Sequence, residues 1–112
     1  DLVDKYRKNA ETLGRTFDPA PRKGAGSTDM ANVSLLMPTI HPMLGLDSGS
    51  AVNHQPEFAA YCRTPVADQA ALDGAVAMAL TAVDAATDDS TRTRLLKQET
   101  SYSQLQQYPW TF

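Results

Sequence analysis

The stretch that decides the fold runs Thr64-Pro65-Val66-Ala67-Asp68-Gln69-Ala70-Ala71-Leu72-Asp73-Gly74-Ala75-Val76-Ala77-Met78-Ala79-Leu80-Thr81-Ala82-Val83-Asp84-Ala85-Ala86. Threonine is suited to accept a backbone N–H at a helix start, and proline suits the first helical position. Nine of the twenty residues from Ala67 to Ala86 are alanine, the strongest helix former. A helix over residues 65–86 is predicted, ~33 Å long at 1.5 Å per residue. Leu72, Val76, Leu80 and Val83 recur at helical spacing and form the expected apolar stripe. So many small side chains permit close approach to a sheet or a second helix. This favours a helix that covers an α/β core over an isolated amphipath.

Toward the N-terminus, Leu2, Tyr6, Ala10 and Leu13 predict a helix over residues 2–13, with Asp4, Lys5, Arg7 and Lys8 on its wet side. Gly14 stands where a left-handed C-terminal stop belongs. Residues 17–26 hold Pro19, Pro21, Gly24 and Gly26 and read as a loop, or a short strand followed by a loop. Ser27, Thr28 and Asp29 are candidate caps for a short helix that Pro38 ends. Residues 40–46 read as a strand or extended segment interrupted by Pro42, followed by a turn at residues 47–50. Residues 51–58 form a polar loop that carries His54, and residues 59–63 connect it to the alanine-rich helix. Beyond that helix, a shorter one is expected over residues 91–98. The tail, residues 101–112, is polar and then aromatic, with Tyr102, Tyr108, Trp110 and Phe112.

The chain's 112 residues amount to one domain at most. Ten Lys and Arg against thirteen Asp and Glu give a net charge of -3. That balance offers no basic footprint for nucleic acid or an anionic membrane. No apolar run of ~20 residues is evident, so no membrane span is expected. The single cysteine, Cys62, cannot close an internal disulfide, which favours a reducing, cytoplasmic setting. The sequence opens on Asp1 inside an amphipathic pattern, as a segment of a longer parent chain would.

Two histidines and one cysteine are too few for a zinc finger or ribbon. A Gly-rich phosphate loop and a dinucleotide fingerprint are absent. Cys62 has no histidine nearby in sequence and reads as a buried structural thiol. His41 stands between Ile40 and Pro42 in a segment expected to be buried, which suits a structural or supporting role. His54 lies in a polar loop between an expected strand and helix, where α/β proteins place their sites.

Three blocks occur in order: Gly26-Ser27-Thr28-Asp29-Met30-Ala31-Asn32-Val33-Ser34, Met37-Pro38-Thr39-Ile40-His41-Pro42, and Asn53-His54 followed by Phe58. As a set they resemble the zinc amidohydrolases of peptidase family M-twenty. The similarity is to the branch with aminoacylase-1-like proteins and p-aminobenzoyl-glutamate hydrolases, over roughly residues 1–86. The resemblance implies an α/β fold with helices packed on a mixed sheet. Residues 1–87 would be the C-terminal part of the catalytic domain, without its lid, and residues 88–112 a terminal helix and tail.

The resemblance also implies a site with two zinc ions, manganese or cobalt being alternatives. His54 matches the late metal-ligating histidine. Gly26 and Ser27 match a loop that faces substrate, and Asp29 and His41 would support the ligands from behind. No catalytic base falls within the chain, because the family's His-x-Asp and Glu-Glu motifs are absent. In such a site a metal-bound hydroxide attacks an amide carbonyl and a carboxylate base relays the proton. The implied substrates are N-acyl amino acids, dipeptides or aminobenzoyl-glutamate. The implied partners are the remainder of the catalytic domain and a second copy of the parent, joined through the lid as a homodimer. Alone, the chain would be inactive. The competing reading is a non-catalytic binding or regulatory module that reuses the same piece of fold.

Overall fold

The computed structural model describes residues 2–17 and 28–105, with side chains as far as Lys97. Gly26, Ser27 and the aromatic residues Tyr108, Trp110 and Phe112 lie outside the described residues. Among the described residues five helices appear in order: α1 (Leu2–Thr12), α2 (Met30–Ser34), α3 (Pro56–Tyr61), α4 (Pro65–Thr87) and α5 (Asp89–Leu105).

The expectation of helices packed on a mixed sheet is overturned. Among the described residues there is no strand. The nearest approach to one is the extended segment over residues 41–48. Its side chains alternate between exposed and half-buried, with His41, Met43, Gly45 and Asp47 outward and Pro42, Leu44, Leu46 and Ser48 inward. This is the period of a strand. Its backbone nonetheless joins no ladder, and Pro42 lacks the N–H that one would need.

The alanine-rich α4 packs on α1 rather than on a sheet. The two helices run antiparallel, as three polar links show. Lys5 Nζ lies 3.1 Å from Asp88. Asn9 Nδ2 donates to Asp84 at 2.8 Å, and Arg15 Nη2 pairs with Asp73 at 2.7 Å. Between these links sits the core. Tyr6 and Ala10 of α1 are buried against Ala77, with Leu13, Phe17 and Ile40 packed around them. Phe17 meets the Tyr6 ring edge-on, at 6.4 Å between centroids, a favoured aromatic geometry.

The buried face of α4 is Ala67, Ala70, Gly74, Ala77 and Thr81. The steps between them are three, four, three and four residues, which is one straight seam on a helix. This is not the predicted stripe. Leu72, Val76, Leu80 and Val83 all face solvent, with Leu72 60% exposed. The seam won because its side chains are small. They let α1 approach closely enough for Tyr6 and Ala10 to fill the space, whereas four branched side chains would hold the helices apart.

By length and composition α4 also qualifies as a membrane-crossing segment, which the sequence reading did not anticipate. Its Asp73 and Asp84 are instead bonded to α1 and the residues just after it.

The helix ends follow local chemistry. After α1, Gly14 takes φ +81°. Its N–H bonds to Glu11 O, and the next N–H, of Arg15, reaches back to Ala10 O. These are the two bonds of a Schellman stop. Thr64 caps α4 by accepting from Ala67 N–H at 3.3 Å, with Pro65 first in the helix. Asp88 ends α4 and starts α5, its carboxylate accepting from Thr91 N–H and Ser90 Oγ. With that cap α5 begins at Asp89 and runs to Leu105, well past the predicted residues 91–98.

Candidate functional site

The loop over residues 47–55 joins the extended segment to α3. Ser48 builds its turn. Ser48 Oγ donates to Ala51 O at 2.9 Å, Ala51 N–H donates back to Ser48 O, and Gly49 supplies a φ of +61°. The chain then reaches His54, whose φ is +67°, the only positive φ at a non-glycine among the described residues. A side chain in this region carries a steric cost, and such positions cluster at functional sites. Two residues later Pro56 opens α3, with Glu57 in its first turn. The sequence reading missed α3 and placed a polar loop there. The signal was present in proline at the first helical position followed by an acid.

His54 is exposed. Near it in the chain lies a polar cleft lined by Ser48, Ser50, Gln55, Glu57 and Tyr61. A second groove, of mixed polar and apolar lining, has Leu44, Leu46, Ser48, Val52, Asn53 and Phe58 in its wall. His54 itself lines neither of them; its chain neighbours Gln55 and Asn53 do.

The other predicted residues are placed elsewhere. His41, expected in a buried segment, is exposed, because the alternation of the extended chain turns it outward while Pro42 turns in. It borders a cavity beside Tyr6 and Ile40. Asp29 precedes α2 but its side chain makes no cap bond. Thr28 does this instead, its Oγ1 accepting from Met30 N–H at 3.0 Å. Cys62, expected to be buried, is an exposed free thiol just after α3.

A zinc site needs three or four nitrogen, oxygen or sulfur donors converging on one point. Among the described residues no group of three His, Cys, Asp or Glu side chains converges in this way. His54, His41 and Asp29 are not gathered into such a set. The described residues therefore do not by themselves fit a zinc centre, and His54 is at most one contribution to it.

Comparison with known proteins adds one observation. The chain is 34% identical over 86 residues to a mouse Xaa-Arg dipeptidase, and 35% identical over 86 residues to the human Xaa-Arg dipeptidase. That similarity relates the chain to peptidases. The alignment covers 74% of this chain and 20% of the length of each relative. No family model and no solved structure matches the chain.

Proposed function

We propose that this chain is a segment of a metal-dependent amidohydrolase that cleaves a dipeptide or a similar N-acyl amino acid, and that His54 donates one metal ligand. The observation that carries the reading is the similarity to two Xaa-Arg dipeptidases over 86 residues. The left-handed backbone and exposure of His54 support its part in it. An exposed imidazole on a backbone held at this steric cost is available to a metal whose other ligands come from outside the described residues.

The flanking surfaces suit a peptide-like substrate. The polar cleft offers hydroxyls and the Glu57 carboxylate, and the mixed groove offers Leu44, Val52 and Phe58 beside Ser48 and Asn53. The exposed stripe of α4 is then a surface on which the remainder of the enzyme packs. Among the described residues no ligand set for a metal pair converges, and by itself the chain would be inactive.

The test uses the full-length protein that contains this chain. Metal content and dipeptide hydrolysis are measured for the wild type and for His54→Ala. Loss of one metal per protomer together with most turnover is expected. Unchanged metal content and turnover would overturn the ligand assignment. A full-length protein that binds metal yet hydrolyses no dipeptide or N-acyl amino acid would overturn the enzyme reading and favour a binding module.

A further inference from the structure

We draw no further inference here: the strongest candidate, the apolar cavity of about 400 Å³ between α1 and residues 39–43 that the unpartnered Tyr6 hydroxyl borders, carries nothing because nothing in the structure shows what covers it.

Discussion

Leu44 seats its side chain directly on Gly74, in the space that a β-carbon at position 74 would occupy. One residue belongs to the extended segment and the other to the buried seam of α4. The contact, with Ile40 packed on the core and Arg15 Nη1 donating to Gly45 O, holds the segment that leads to the His54 loop against the helical pair. It accounts for a glycine in mid-helix, where alanine would be better by about 0.5–1 kcal/mol.

Two opposing effects meet at Gly74, so the pair predicts a coupled outcome. In the wild-type background, Gly74→Ala gains helix propensity but displaces Leu44. The stability change should stay within about 1 kcal/mol of zero. In a Leu44→Ala background the clash is gone, and Gly74→Ala should stabilise by about 0.5–1 kcal/mol. Urea unfolding of the four proteins in this cycle measures the coupling. Equal effects of Gly74→Ala in both backgrounds would refute the contact.

Tyr6 is 3% exposed and its hydroxyl has no hydrogen-bond partner among the described residues. A buried hydroxyl left unpaired costs about 1–3 kcal/mol. Tyr6→Phe keeps the ring and its edge-on contact with Phe17, so it should raise stability by about 1 kcal/mol. A loss of stability would mean that the hydroxyl has a partner in solution.

Under the proposed ligand role, stability and function pull in opposite directions at His54. Glycine takes a positive φ without steric cost. His54→Gly should therefore stabilise the chain by roughly 1 kcal/mol, while His54→Ala should not. Both should lose the metal in the full-length protein. Thermal unfolding and metal analysis of the two variants separate these effects. A destabilised His54→Gly would show that the loop is not held in the left-handed region.

Acid should weaken the fold through two carboxylates. Thr91 N–H, Ser90 Oγ and Lys5 hold Asp88 well below the ordinary carboxylate range. Gln69, and then Arg15, lower Asp73. A carboxyl group with a depressed pKa in the folded state stabilises fully above its unfolded pKa, near 4. That stabilisation is lost as pH falls from there through the folded value. The urea midpoint should be flat near neutrality and drop below about pH 4. Asp88→Asn and Asp73→Asn should each start lower and fall less steeply. Parallel acid limbs in wild type and variants would count against both assignments.

Four apolar side chains on the outer face of α4, Leu72, Val76, Leu80 and Val83, are between 40% and 60% exposed. As a separate 112-residue chain the protein should self-associate through this stripe, since contiguous apolar patches mark association surfaces. Val76→Lys with Leu80→Lys should give a monomer in sedimentation, with a stability change below about 0.5 kcal/mol per site. In the full-length protein the same pair should be strongly destabilising. A monodisperse wild-type monomer would refute the association.

The sequence by itself determined the local structure. Thr64 and Pro65 start α4 and Gly14 stops α1, because each acts on backbone within a few residues; α2 was expected to run to Pro38 but ends earlier, at Ser34. His54 was also legible as a candidate, from its polar loop and the motif around it. What it could not show was the left-handed φ of His54, in the short connection between the Ser48 turn and the Pro56 start. Tertiary structure decided which face of α4 is buried. Periodicity favoured Leu72, Val76, Leu80 and Val83, because a hydrophobic scale rewards large apolar side chains. The seam of Ala67, Ala70, Gly74, Ala77 and Thr81 was buried instead, because the gain depends on how closely α1 can approach and on what fills the gap. It also decided that residues 41–48 keep a strand's alternation without a sheet, since a ladder needs a second backbone and pattern alone supplies only one.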